Sequence, residues 1–154
     1  MAELNDLIVR VANIDAAIEN ALENEVAASV KDAIVASARE NVYDAYTPKF
    51  LHRRNGNGGI LDTESIKITV NGTELTASDD ASWQHLWGGA VPSVRLAEAI
   101  ASGDRKYNMH NAGPRPFHER AKQRVRSEGT AEAALRKGLA RQGYDTSEMT
   151  FTFE

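Results

Sequence analysis

The chain contains no cysteine. That excludes a disulfide framework, a cysteine-based zinc site and a thiol nucleophile. Aromatic residues are scarce, at 6% of 154 positions, so any core leans on alanine, valine, isoleucine and leucine. No apolar run approaches the roughly 18 residues of a membrane-spanning helix. The opening residues, MAELNDLIVRVAN, are acidic and amphipathic and lack the basic start and apolar stretch of a secretory signal.

Catalytic signatures are missing as well. His52, His85, His110 and His118 are scattered, with no close ligand spacing. His118-Glu119 is followed by Arg120, Ala121 and Lys122, so the second histidine of a zinc-protease helix is lacking. The stretch Asn55–Gly59 is glycine-rich, but no Gly-Lys-Ser/Thr follows it to cradle phosphate. No Gly-x-Ser-x-Gly elbow occurs. Asp79-Asp80 reads as a solvated turn. The expectation is a protein with no catalytic residue, no metal and no cofactor, and with no membrane contact.

What the chain does have is an uneven charge distribution. Residues 1–45 carry three basic and nine acidic side chains, whereas residues 104–142 carry ten basic and four acidic ones. An acidic front joined to a basic back lets copies pair head to tail. Solvated helix faces account for the same pattern. The basic residues fall in two groups, Lys49, Arg53 and Arg54 in one loop and Arg115, Arg120, Lys122, Arg124 and Arg126 around one helix. Such clusters attract phosphate without reading sequence. Aromatics are not interleaved for base stacking, which argues against sequence-specific nucleic-acid binding.

Periodicity sets the elements. Leu4, Leu7, Ile8, Val11, Ile14, Ile18, Leu22, Val26, Val30, Ile34 and Ala38 recur at three- and four-residue steps, an amphipathic helix. It ends by Thr47-Pro48. Unbroken, it would be ~60 Å long at ~1.5 Å per residue, so a break near Asn20–Asn24 is expected. Ser65–Val70 alternates, Asn71-Gly72 follows, and Thr73–Ala77 returns, which predicts a type I′ hairpin. Ile66, Ile68, Val70 and Leu75 would face inward. Trp83 and Trp87 would stack on a short helical turn. Ser93 would cap a short helix over Val94–Ala101 that Gly103 ends. Pro116 opens a further helix with Phe117, Ala121 and Val125 on one face. Gly129 breaks it, and Thr130 would cap a last helix with Ala131, Ala134, Leu135 and Leu139 inward. Met149–Phe153 alternates like a strand, able to extend the chain's own sheet or a neighbour's. The expected fold class is α+β: a single domain over residues 1–154, with a small antiparallel sheet packed by a long N-terminal helix and C-terminal helices. Residues 145–154 are expected to form an extended C-terminal arm.

Two segments then stand out, Tyr43–Leu61 (YDAYTPKFLHRRNGNGGIL) and Gly113–Ala121 (GPRPFHERA). In the order helix, YTPKFLHRRNGNGGILDTESI, hairpin, LAEAIASGD and GPRPFHERA, the chain resembles the head–tail joining and tail-completion proteins of long-tailed bacteriophages, the minor tail protein Z-like group. Gly59-Ile60-Leu61 matches the segment before the first strand. Leu96–Gly103 matches loosely, with Ser102 where an acidic or aromatic residue is common. Pro116-Phe117 matches the Pro-Phe that opens the last helix, and the closing ALRKGLARQGY also looks like tails of related phage proteins. The resemblance implies a structural virion protein of the neck that forms rings, often six-fold, around the DNA channel. Its neighbours would be a connector and a tail-tube or terminator protein, with non-specific DNA contact in the channel left open. A tail terminator and a basic DNA-binding accessory protein are the alternatives. On this reading Lys49, Arg53, Arg54, Asn55, Arg120 and Arg124 are assembly contacts. Pro116 and Phe117 are structural anchors. The Asn55–Gly59 loop is expected to be mobile when free and ordered on assembly.

Overall fold

The computed structural model of the chain describes residues 13–45, 59–81, 96–103 and 113–153. Its elements in order are helix α1 (residues 13–43), strands β1 (Ile66–Asn71) and β2 (Glu74–Asp79), and helices α2 (Leu96–Ser102), α3 (Phe117–Ser127) and α4 (Thr130–Arg141). The fold class is α+β, with the long N-terminal helix and one two-stranded antiparallel sheet. The expected tryptophan turn, the Ser93 cap and the histidines His52, His85 and His110 lie outside the described residues, as does the start of the first helix.

Helix α1 does not break at Asn20–Asn24. It widens instead, into a π-helical turn at Leu22–Val26, and again at Arg39–Tyr43, on either side of regular α-helix over Ala27–Ala38. The apolar stripe explains why. From Ile14 to Ala38 it steps by four, outrunning an α-helical turn by about 0.4 residue per step. A π-helical turn takes up an extra residue and brings the stripe back. Each wide turn also holds an asparagine that donates to the carbonyl four residues earlier: Asn24 Nδ2 to Asn20 O at 2.7 Å and Asn41 Nδ2 to Ser37 O at 2.8 Å. A side chain inserted into the backbone ladder satisfies the carbonyl there.

The hairpin keeps the expected inward face, with Ile66 buried and Ile68, Val70, Leu75 and Ala77 half-buried. Its turn lies one residue later than expected. The two strands are joined by Gly72-Thr73, with Gly72 at φ 61. Glycine at the first turn position suits a II′ connection. The shift brings Val70 opposite Leu75, an apolar cross-strand pair. Before the hairpin, Ile60 is buried, and the Asp62 carboxylate caps the short 3-10 turn Thr63–Ser65 by accepting from Glu64 N at 3.0 Å.

The chain forms two compact units. Unit 1 comprises Met1–Val30, Ile68–Thr76 and Val125–Glu154, and unit 2 comprises Lys31–Lys67 and Ala77–Arg124. Unit 1 is built on Ala17, Ala21, Leu22 and Val26 of α1 and Ala131, Leu135 and Leu139 of α4. Val70, Leu75, Tyr144, Met149 and Phe151 pack against that cluster. Gly138 sits between the two helices. A Cβ there would lie 2.5 Å from Ala21 Cβ and 2.6 Å from Glu25 Oε2. The buried side chains of unit 2 include Ile34, Ala38, Ile66, Ala97, Ala121 and Phe117.

Thr130 does not cap α4. Gly129 occupies the cap position at φ 63, with no side-chain capping bond, and Thr130 is the first helical residue. The left-handed glycine takes the cap position itself, so the Thr130 hydroxyl falls inside the helix. Met149–Phe153 alternates as expected, with Met149 and Phe151 half-buried and Phe153 exposed, but it is irregular rather than a strand. Its backbone is held by an arginine side chain instead of a ladder.

Candidate assembly surface

The GPRPF segment is a joint within unit 2. Helix α2 ends at Gly103, φ 74, whose missing side chain lets the chain pass close: a Cβ would lie 2.7 Å from Pro114 N. That approach allows Arg115 N to donate to the end carbonyls of α2, at 3.0 Å to Ala101 O and 3.3 Å to Ile100 O. The Arg115 guanidinium donates to Val42 O, in the last turn of α1, at 3.1 Å. One residue therefore satisfies orphan carbonyls of two helix ends. Helix α3 starts at Phe117, and the Pro116 carbonyl accepts its first helical bond, from Arg120 N at 3.1 Å. Phe117 is 0% exposed, whereas Pro116 is exposed. The sequence placed Phe117 as an anchor through its i, i+4 face. It gave no sign that Arg115 would be the clasp.

Of the expected assembly contacts, Lys49, Arg53, Arg54 and Asn55 lie outside the described residues, as does nearly all of the Asn55–Gly59 loop. Arg120 is exposed, and Lys122 and Arg126 are exposed on the same helix. Arg124 is half-buried, and its Nη2 donates to both Glu40 carboxylate oxygens at 2.9 and 3.1 Å. His118 stacks beside Phe117 with ring centroids 4.1 Å apart. Its Nε2 is 3.9 Å from Asp79 Oδ2, too far for a hydrogen bond. Asp79 Oδ1 accepts from Ala81 N at 2.9 Å, while the buried Oδ2 accepts no hydrogen bond from the described residues.

Unit 1 repeats the pairing of acidic front with basic back. Arg141 Nε donates to Glu25 Oε1 at 2.7 Å, and Arg141 Nη2 donates to Asn20 Oδ1 at 2.7 Å. Gln142 Nε2 donates to Ala17 O at 2.8 Å alongside. The Arg141 hydrogen bond holds the Glu25 carboxyl below its ordinary value against the opposing effect of burial. The Ser147 backbone N–H lowers Asp145 in the same way. Among the described residues no group of three or more histidines, aspartates or glutamates could hold a metal ion. No described helix is long and apolar enough to cross a membrane. Asp15, Glu23 and Asp32 are exposed on α1, and Arg120 and Lys122 are exposed on α3.

These features define a small, helix-rich α+β protein whose helices are clasped by arginines. The YomN family model matches residues 1–141, and the chain belongs to the YomN family. YomN is the name of a phage-derived protein, so the family carries the phage association that the resemblance implies. No curated protein and no solved structure matches the chain.

Proposed function

We propose that the protein is a structural virion component, a ring-forming subunit at the phage neck that joins the capsid connector to the tail. The observation that carries this reading is a phage-associated family membership in a chain that exposes mostly acids on α1 (Asp15, Glu23, Asp32 and Glu40 against Arg39) and mostly bases on α3 (Arg120, Lys122 and Arg126 against Glu119). Such faces suit repeated contacts with copies and with neighbouring virion proteins, since complementary charge steers encounter and fixes register. The protein works by holding its neighbours, with no catalytic residue and no cofactor, in the virion after assembly in the host cytoplasm.

The test is a phage lacking this gene, together with proteomics of purified wild-type particles. The reading expects the protein in the particle, and filled heads and separate tails without it. Overlong tails in the deletion would favour the tail terminator instead. Normal particles that lack the protein would sink both.

A further inference from the structure

Arg136, in the middle of α4, spends its guanidinium on the C-terminal segment. Its Nη1 donates to Thr146 O and its Nη2 to Met149 O at 2.7 Å. Glu132 orients the group, with Oε1 accepting from Nε at 3.0 Å and from Nη2 at 2.8 Å. The guanidinium carbon also lies 5.0 Å from the Phe151 ring centroid. One side chain thus grips two carbonyls and a ring of the same arm. Met149 and Phe151 pack on the cluster that contains Leu135 and Leu139. Among the described residues, the backbone bonds of the arm beyond Asp145 amount to Met149 N to Thr146 O at 3.2 Å. The arm leaves α4 through Gly143, φ 88.

We propose that residues 145–153 form a releasable strap latched by Arg136, and that the released strap docks on the same seat of a second copy of this chain. The identical seat on another copy already fits this sequence, so exchange forms no contact that one chain does not already make. The strap is suited to it. Its apolar residues alternate at Met149, Phe151 and Phe153, and Phe153 is exposed at 36%. A fork-shaped guanidinium suits the latch, because its donors sit in a rigid plane that holds two carbonyls and lies against a ring, whereas lysine's donors rotate on a flexible stem.

Amide exchange by mass spectrometry on full-length wild type, R136A and R136K, paired with native mass spectrometry over a concentration series, tests both halves. In R136A and R136K, residues 146–153 should exchange at least tenfold faster, with α1 unchanged. In wild type, whose seat keeps Arg136, dimers should rise with concentration and vanish when M149S and F151S are introduced. Should R136A fail to fold, E132Q, which removes only the anion that orients the guanidinium, should give a smaller increase in the same peptide. Unchanged exchange of the strap overturns the latch. A wild type that stays monomeric across the whole series overturns the docking. Neither result bears on the neck reading, which stands or falls on the presence of the protein in virions.

Discussion

Two residues carry opposite lessons about side-chain size. Phe117 is fully buried at the start of α3. F117A should cost about 3–5 kcal/mol, the range for truncating a buried aromatic. Denaturant unfolding measures it, and a loss within ~0.5 kcal/mol, typical of exposed sites, would contradict the placement. Gly138 has the reverse constraint. On propensity alone G138A would gain about 1 kcal/mol in a helix interior. The new methyl would sit 2.5 Å from Ala21 Cβ, and overpacking of that kind costs about 1–3 kcal/mol. The clash wins, so G138A should destabilise. Adding A21G removes the nearer collision, and the pair should show a favourable coupling in a double-mutant cycle. Phe117 was legible because an apolar i, i+4 series announces a buried face. Gly138 left a fainter signal, a glycine in a run of good helix formers, which marks either a fault or a close approach. The sequence alone does not say which helix approaches.

At the scale of elements, α1 and α4 pack through Leu22, Val26, Leu135 and Leu139, with small residues between them and the Glu25–Arg141 ion pair beside them. Ala17 and Ala21 are buried on α1, where the isoleucines and valines had drawn the eye. Alanine is both the best helix former and a core residue, so its burial is hidden from a pattern based on large side chains. The π-helical turns were not legible: the length of the pattern points to a break near Asn20–Asn24, and the helix instead runs on through a widened turn there and a second at Arg39–Tyr43. The Glu25–Arg141 pair gives these two helices a pH dependence. The Glu25 carboxyl is lowered from 4.5, chiefly by its hydrogen bond from Arg141. A depressed carboxylate contributes stability above its unfolded value and loses it as pH falls through the folded one. E25Q should therefore be less stable than wild type at neutral pH, and the gap should close as the pH is taken below 4.5. Thermal melts across that range measure it. A constant gap would mean that the side chain matters for packing and not for charge.

Over the whole molecule, the acidic front and basic back meet within each unit: Glu25 with Arg141 in unit 1, and Glu40 with Arg124 in unit 2. Net charge along the chain could not reveal this, because it counts side chains without saying which ones close on each other. What remains outward is smaller and better defined. On α3 the exposed cations Arg120 and Lys122 lie beside half-buried Arg124, whose charge is already matched by Glu40. If copies assemble through charge, these outward cations are the ones to reverse. The double variant R120E/K122E should weaken self-association and flatten its salt dependence, since screened surface charges act over about a Debye length of ~10 Å at 0.1 M salt. It should leave unfolding free energy within ~0.5 kcal/mol, because neither side chain is buried. Mass photometry in low and high salt, with a denaturant melt alongside, reads both quantities. Binding to random-sequence DNA should be followed in the same preparations. Loss of DNA binding with intact self-association would move this face from subunit contact to the DNA channel. That outcome keeps the neck ring, whereas DNA binding by a protein that never self-associates would favour the accessory-protein reading.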